Sequence, residues 1–312
     1  MASGSVGSAP GVVAVVGPTG SGKSELAVAL ARRVDGDVVN ADSMALYRGM
    51  DVGTAKLTEA ERLGVAHHLL DIWAVTEAAS VADYQQRARA VVDGLRAAGR
   101  TPVLVGGSGL YVRAVLDDLE FPGTDPEVRA RLEAELESGG SGALHARLAA
   151  LDPAAAAAIL PSNGRRVVRA LEVVEITGGL FIATLPELCD VYPSVQLGLD
   201  VPRSELDARI DVRVERMWAA GLVDEVRSLV EVGLRGGRTA SRALGYAQVL
   251  RFLDGGCTEE QALEETQRAT RRFARRQDTW FRRDPRIVWL PYDADNLLEQ
   301  ALAALPPPLK GP

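Results

Sequence analysis

The chain has 312 residues, of which 47% are hydrophobic and 25% are charged, and its formal net charge is −7 at pH 7. This composition is typical of a soluble globular protein with one large or two ordinary domains. The acidic balance gives no global indication of a nucleic-acid partner, so such a role needs a local basic face. Two cysteines without metal-ligand spacing, Cys189 and Cys257, argue against a disulfide scaffold or zinc module and favour a reducing, cytoplasmic location.

The ends of the chain carry no predicted targeting signal. Residues 1–11 are rich in Gly, Ser and Ala and are expected to form a disordered leader, because they lack the basic and apolar segments of a signal peptide. Residues 306–312 are expected to form a loose tail. No apolar stretch is long enough to span a bilayer, so no membrane partner is predicted.

The strongest signal is the glycine-rich segment 17–24, which follows the apolar run 12–16 and precedes a helical pattern at 25–33. This strand–turn–helix context is the one that a phosphate-binding P-loop requires. Glycines let backbone N–H groups turn toward an anion, and the helix N-terminus adds free donors and a positive dipole end. We therefore predict binding of a di- or triphosphate, with Mg²⁺ on the Ser24 hydroxyl. The predicted phosphate-binding residues are Gly17, Thr19, Gly20, Ser21, Gly22, Lys23 and Ser24.

Strands and helices alternate after this loop, with strands predicted at 37–41 and 101–105 and a helix over 80–98. Alternation of this kind predicts an α/β fold with a parallel, P-loop NTPase-like sheet. Ligands gather at the carboxyl ends of parallel strands. The P-loop, the pair Asp42-Ser43 and the segment 106–109 are therefore expected to converge on one site.

The pattern changes near Pro122, and only helices are predicted from there to Gly179. Breaks in the helical pattern fall at 138–140 and 161–164. We expect a small all-helical domain, 122–191, inserted into a core formed by 12–121 and 192–305. The predicted core elements beyond it are a strand at 195–201, helices at 205–220 and 223–232, a long helix that begins at Glu259, and a strand at 287–290.

The end of the strand at 101–105 bears on the chemistry. It runs into Gly106-Gly107-Ser108 and lacks the acidic residue with which nucleotide hydrolases usually support Mg²⁺. This argues against an ATPase and leaves a small-molecule kinase open. Asp42 is a candidate general base, because it follows a strand and reaches toward the P-loop, but it is equally well explained as the N-cap of 43–47. The adjacent pair His67-His68 favours a structural role over a metal site.

Arginines form two clusters on this acidic chain. One lies on the long helix, where three of them share a face at i, i+4 and i+7 spacing. The alternatives are a solvated face paired with Glu264 and Glu265, or a contact surface for phosphates. Two separate clusters favour a polyanionic partner, while Trp280 and Phe281 are expected in the core. The clusters are Arg268, Arg271, Arg272, Arg275 and Arg276, and Arg165, Arg166 and Arg169.

Several sequence blocks occur together in a specific order. They are 17–24, 42–44, 47–56, 67–72, 106–111, 166–173, 244–246 and 275–282. Over about 13–290 these blocks resemble the tRNA dimethylallyltransferases, which prenylate the adenosine 3′ to the anticodon. No single block apart from the P-loop would be specific, but the ordered set is.

The resemblance implies a transferase with a P-loop core and a mobile helical insertion. Its P-loop would bind dimethylallyl diphosphate and Mg²⁺, and it would move the dimethylallyl group to the adenosine N6 amine in tRNAs that read codons beginning with U. Asp42 matches the family's general base, Arg213 the arginine that neutralises the leaving diphosphate, and Ser108 a hydroxyl near the target base. The base must leave its stack to reach such a site. We expect a monomer that binds the tRNA anticodon stem-loop.

The resemblance also implies a set of tRNA-binding residues. They are Asp42, Ser43, Met44, Ala45, Ser108, Arg129, Arg165, Arg166, Val167, Val168, Arg169, Arg242, Gly245 and Tyr246. Ala45 replaces a usual glutamine and Ala247 a frequent Lys or Arg, so two polar contacts are in question. The alternatives are a prenyltransferase of free adenine nucleotides, a small-molecule kinase, and a non-catalytic RNA-binding protein or nucleotide switch. The arginine clusters argue against the first of these, and the set Lys23, Ser24, Asp42 and Arg213 argues against the last.

Overall fold

The computed structural model describes residues 11–182 and 186–306. The chain divides into a core unit, Met1–Asp117 with Asp190–Pro312, and a helical unit, Asp118–Cys189. For comparison with the observed helical unit, the sequence analysis places the boundaries of the inserted domain at 122 and 191. Nearly all of the expected leader and tail falls outside the described residues. In the described part of the chain, no helix combines the length and apolar character needed to cross a membrane.

A parallel sheet organises the core unit. Its strands are β1 Val12–Val16, β2 Gly36–Asn40, β3 His67–His68, β4 Thr101–Gly106, β5 Ser194–Asp200 and β6 Ile287–Pro291. Their order across the sheet is β3-β2-β4-β1-β5-β6, and every pairing is parallel. The central strand β1 therefore has the P-loop at its carboxyl end, next to the loop that leaves β4. The sequence prediction of an α/β parallel sheet is confirmed.

Helices cover both faces of this sheet, which explains why its central strands are apolar without alternation. In β1, Val13 and Val15 pack on one face in a cluster that includes Leu26 of the first helix. Val12, Ala14 and Val16 pack on the opposite face in the larger core cluster. The helices of the core unit are α1 Lys23–Arg33, α2 Val81–Ala97, α3 Gly109–Leu116, α7 Arg203–Ala219, α8 Leu222–Glu231, α9 Tyr246–Leu253, α10 Glu259–Phe281 and α11 Leu297–Ala303.

The helical unit contains α4 Pro126–Leu151, α5 Pro153–Ala158 and α6 Gly164–Thr177. Asp125 caps α4 by accepting hydrogen bonds from the N–H groups of Glu127 and Val128. The predicted break near residue 140 is a kink within α4, where Gly140 has a φ of 75°. An apolar core of its own holds this unit together, with Leu132, Leu148, Val167, Leu171 and their neighbours buried between α4 and α6.

The predicted core strands agree with the structure to within one residue at each end. Thr258 and Gln261 form the capping box that starts α10. The sequence pattern did not predict β3 or α11, which are short and depend on their neighbours. Phe281 is buried as expected, whereas Trp280 is 37% exposed, so placing Trp280 in the core was wrong. Its indole lies against the backbone of Gly109, where a Cβ atom would come within 2.0 Å of Nε1.

Candidate active site

The P-loop joins β1 to α1, and three of its glycines have backbone angles that other residues rarely adopt. The φ angles are 133° at Gly17, 83° at Gly20 and 97° at Gly22. Gly22 is the N-cap of α1 and Lys23 is its first residue, so the positive end of the helix dipole faces the loop. In this conformation the Lys23 ammonium donates a 2.6 Å hydrogen bond to the carbonyl oxygen of Pro18.

The loop holds positive charge and a polar atom that lacks a protein partner. Burial lowers the pKa of Lys23 to about 8, and the charge of Arg213 acts in the same direction. Burial also lowers the pKa of Arg213, while Asp42 and Glu25 oppose that shift. The Ser21 hydroxyl is buried without a hydrogen-bond partner among the described residues. A bound anion would relieve both the charge repulsion and the unpaired hydroxyl.

A large cavity of about 900 Å³ extends from the P-loop, and α7 forms one of its walls. Arg209, Arg213 and Arg216 recur on α7 at i, i+4 and i+7 spacing, and all three line the cavity. Arg209 donates to the carbonyl of Gly20 at 2.9 Å, and Arg213 donates to the carbonyl of Thr54 at 3.2 Å. Of these three, sequence reasoning identified Arg213 alone, although the helical spacing pointed to the other two.

The rest of the lining of this cavity mixes polar side chains, such as Lys56, Glu61 and His67, with apolar ones. The apolar side chains include Ala45, Val52, Leu57, Leu70 and Val105. Side chains of this kind suit a short hydrocarbon group, because burying a few CH₂ and CH₃ groups is favourable by about 0.8 kcal/mol each. The cavity thus combines cationic groups beside the P-loop with apolar side chains elsewhere in its lining.

Asp42 follows β2 and is held at the mouth of this cavity by its neighbours. The Asn40 side chain accepts from the Asp42 N–H at 3.0 Å and donates to the Asp42 carbonyl at 3.0 Å. Oδ1 of Asp42 accepts from the Met44 N–H at 2.9 Å. The carboxylate therefore caps a turn, and residues 43–47 do not form the helix that the N-cap alternative would imply. Asp42 can therefore cap this turn and line the cavity at the same time.

A second cavity, of about 340 Å³, adjoins the first. The two share Thr19, Asp42, Thr54, Arg213 and Met217 among their lining residues. Five further residues of the predicted tRNA-binding set line the second cavity but not the first. They are Ser43, Met44, Arg242, Gly245 and Tyr246. Phe273 and Arg276 of α10 also line it, with the Arg276 guanidinium carbon 5.6 Å from the centre of the Phe273 ring. The sequence analysis did not identify Phe273, because no local sequence signal distinguishes it from an aromatic residue of the core.

Ser108 ties two loops together. Its hydroxyl accepts from the N–H of Ser43 at 3.3 Å and lies 3.3 Å from the Ser43 hydroxyl. Ser108 lines neither of the two cavities, whereas its partner Ser43 lines the second. The geometry places Ser108 behind Ser43 and beside the Asp42 turn.

Tyr246 has a different environment from the one expected of a residue that contacts RNA. Its side chain is fully buried, and its hydroxyl donates to Glu225 rather than pointing to solvent. Burial and the bond to Glu225 indicate that Tyr246 packs at the wall of the second cavity, and its contact with tRNA stays a prediction. Arg242 ends a short 3-10 helix, Ala240–Arg242, and Gly245 immediately precedes α9, so both remain candidates for contact.

In the helical unit, predicted tRNA-binding residues divide between buried and exposed positions. Val167 and Val168 are 0% and 2% exposed, so a side-chain contact with RNA is corrected for both. Arg129 and Arg169 bind the buried Glu172, whose pKa they hold below its usual value against the opposing effect of burial. Arg165 and Arg166 are exposed on α6.

The arginines of α10 are paired differently from the predicted alternative. Arg271 pairs with Asp211 and Arg275 lies 3.7 Å from Asp207, both of which are on α7. Glu265, expected as a partner within α10, instead pairs with Arg251 of α9. The exposed arginines of this helix are Arg268, Arg272, Arg275 and Arg276. These four arginines form an exposed basic stripe on α10, and among them Arg275 also pairs with α7.

Together these features define an α/β protein with a P-loop, whose large cavity meets a second cavity at an aspartate and an arginine. Comparisons with known proteins agree with this class. A family model described as IPP transferase matches residues 45–284. The chain belongs to the IPP transferase family.

The chain is similar to named members over almost its whole length. A tRNA dimethylallyltransferase from Thermobifida fusca is 70% identical over 297 residues, which cover 94% of this chain and 93% of that protein. One from Streptomyces avermitilis is 69% identical, with 95% of both chains covered. The structure of a Bacillus halodurans tRNA isopentenylpyrophosphate transferase has a TM-score of 0.69 at 42% identity, covering 93% of this chain and 94% of that one. A eukaryotic dimethylallyltransferase acting on tRNA has a TM-score of 0.80 at 25% identity, covering 93% and 77%.

Proposed function

We propose that this chain transfers a dimethylallyl group from dimethylallyl diphosphate to the N6 amine of the adenosine 3′ to the anticodon of tRNA. The observation that carries the proposal is that Asp42 and Arg213 line both cavities. A donor held in one cavity and a base held in the other would meet between a carboxylate and a guanidinium. The names of the relatives supply the substrate class.

The donor's diphosphate would bind the P-loop amides, the Lys23 ammonium and the Arg213 guanidinium, with the prenyl group against apolar side chains of the same cavity. Among the described residues, no cluster of three or more His, Cys, Asp or Glu side chains could hold a metal by itself. Ser24 lines the large cavity and offers a hard oxygen, which fits Mg²⁺ that takes most of its ligands from phosphate and water. When bound, Mg²⁺ would neutralise part of the diphosphate charge.

The acceptor adenine would enter the second cavity after leaving its stack. The N6 nitrogen forms a bond to the allylic carbon as the bond between that carbon and the diphosphate oxygen breaks. The electron pair leaves with the diphosphate, which Lys23 and Arg213 stabilise. Asp42 accepts the N6 proton, since only Oδ1 of its carboxylate caps the turn and both cavities meet at this side chain.

The tRNA would be bound through its anticodon stem-loop by exposed arginines of both units. In the helical unit these are Arg165 and Arg166, and in the core unit they are Arg242 and the exposed arginines of α10. Contacts of this kind position the phosphate backbone without reading sequence. Preference for tRNAs that read codons beginning with U is part of the proposal, as are a monomeric state and a cytoplasmic location.

The experiment that tests this function uses labelled dimethylallyl diphosphate and Mg²⁺. The acceptors are an unmodified tRNA with adenosine 3′ to its anticodon, the same tRNA with guanosine at that position, and AMP. Label on the first acceptor alone supports the proposal. Label on AMP but not on tRNA would show a free-nucleotide prenyltransferase, and label on none would return the kinase and switch hypotheses.

A further inference from the structure

The side chain of Gln277, on α10, bridges two loops that leave neighbouring strands of the sheet. Its Oε1 atom accepts a hydrogen bond of 2.9 Å from the N–H of Thr19 in the P-loop. Its Nε2 atom donates one of 2.8 Å to the carbonyl of Gly107, just after β4. Because β1 and β4 are adjacent, one buried amide joins the ends of both strands.

The surroundings of this amide are tight. A Cβ atom on Gly107 would lie 2.3 Å from the Gln277 Nε2 atom and 3.2 Å from the Gly17 carbonyl oxygen. Residue 107 therefore accommodates no side chain while Gln277 occupies this position. Ala274 and Phe281 are buried on the same helix and anchor it independently, so α10 does not depend on the amide for its packing.

The bridge continues to the Asp42 turn. Gly107 is followed by Ser108, whose hydroxyl accepts from the Ser43 N–H at 3.3 Å. A continuous series of contacts thus runs from Thr19 through Gln277 and the 107–108 backbone to Ser43, the neighbour of Asp42. One end of this series holds phosphate in the proposed function, and the other holds the proposed base.

We propose that Gln277 is a positioning residue that fixes the P-loop relative to the Asp42 turn, and so sets the distance between the donor's diphosphate and the base. The proposal rests on the proposed function for the roles of those two ends. Gln277 also lines the large cavity, but its amide there binds the Thr19 N–H and the Gly107 carbonyl, and the role assigned to it is to hold these two loops. A misplacement of about 1 Å between reacting groups can lower a rate by about 100-fold.

Two substitutions test the bridge, the first by removing both of its hydrogen bonds and the second by removing one. Gln277→Met has a similar length and removes both hydrogen bonds. Gln277→Glu keeps an acceptor for Thr19 but, when ionised, loses the donor to Gly107. The matched control is Gln267→Met on the same helix, where the amide donates to the Asp211 carbonyl at 3.3 Å, away from the strand ends.

Two measurements on the full-length protein test the positioning role of Gln277. The first is the single-turnover rate of prenyl transfer at saturating donor and tRNA, where we expect a fall of about 10- to 100-fold for Gln277→Met, with donor KM changed less than about threefold. The second is amide hydrogen exchange of peptides that cover 17–22 and 105–109, which should accelerate in Gln277→Met more than exchange elsewhere in the core unit, because the Thr19 N–H and the Gly107 carbonyl lose their partner. Gln267→Met should change neither.

The outcomes also distinguish this inference from the proposed function. If wild-type protein transfers no prenyl group to tRNA, the function is wrong, while exchange at 17–22 still reports whether the bridge holds the loop. Unchanged exchange in Gln277→Met overturns the positioning role in either case. Faster exchange with a wild-type single-turnover rate also overturns it, because the bridge would then have no catalytic consequence.

Discussion

The hydroxyl of Tyr246 donates a 2.5 Å hydrogen bond to Oε1 of Glu225. The same carboxylate accepts from three consecutive backbone N–H groups, those of Asp51, Val52 and Gly53, at 3.0, 2.6 and 3.1 Å. A Cβ atom on Gly53 would come within 2.5 Å of the Tyr246 ring, so the loop lies directly on the tyrosine. This loop continues into Thr54, which lines both cavities and whose carbonyl accepts from Arg213.

Tyr246→Phe tests whether Tyr246 supports this loop or contacts tRNA. Removing the hydroxyl deletes one hydrogen bond to a charged acceptor, and we expect a loss of about 1.5 kcal/mol in the free energy of unfolding. The affinity for tRNA should stay within about twofold of wild type. Urea denaturation and tRNA binding measure the two effects, and a large loss of affinity at unchanged stability would restore the contact role.

Asp42→Asn tests the general base. The amide still has an oxygen to accept from the Met44 N–H, so the turn should keep its shape, but it does not accept a proton from the N6 amine. We expect the single-turnover rate to fall by about 100- to 10,000-fold. Donor and tRNA affinities should be nearly unchanged. A variant with normal turnover and normal binding would remove Asp42 from the mechanism.

The charge of Lys23 gives a pH dependence for donor binding. Burial and the neighbouring Arg213 lower its pKa to about 8 in the ligand-free protein. The ammonium is therefore lost as the pH rises through about 8, and a bound diphosphate favours the charged form and raises that pKa again. Affinity for inorganic diphosphate with Mg²⁺ should weaken from pH 7 to pH 9.5 by calorimetry. Lys23→Arg stays charged and should flatten this profile, and equal slopes in both proteins would contradict the assignment.

Glu172→Gln tests the ion-pair network inside the helical unit. Glu172 is buried with Arg129 and Arg169, whose side chains are 30% and 25% exposed and so reach water in part. Losing the carboxylate should destabilise this unit by about 2 kcal/mol, less than for a fully buried pair, because water can rehydrate the arginines. Chemical denaturation, monitored by amide hydrogen exchange in α6, measures this loss of stability. A neutral effect would mean that the pairing contributes nothing to stability.

Arg165 and Arg166 test the basic surface of the helical unit, since both are exposed on α6. Replacing both with alanine should weaken tRNA binding and lower the slope of log K against log salt by about one for each phosphate that is no longer neutralised. Thermal unfolding is measured in parallel, because Arg166 also makes an interaction within the protein. Arg87→Ala, on an exposed i, i+4 pair of α2, is the control. An unchanged salt slope would assign Arg165 and Arg166 to a solvated face.

The sequence by itself determined the elements that local patterns encode. The P-loop at 17–24, the central strands and the long helix from Glu259 lie where their apolar periods, glycines and caps predict them. Asp42 could be singled out because the residue after a parallel strand faces the ligand edge of the sheet. The ordered motifs also predicted the family. Each of these signals depends on residues close together in the chain or on a known arrangement of blocks.

Only the tertiary structure decided which distant side chains meet. It assigned Tyr246 to Glu225, 21 positions away, and joined Gln277 to Thr19 across 258 positions. It buried Val167 and Val168 while leaving Arg165 and Arg166 exposed, and it paired arginines of α10 with acids of α7. These outcomes depend on packing between elements that are far apart in sequence. A buried hydrogen-bonding group must find a partner wherever the fold brings one, and no local pattern records which partner that is.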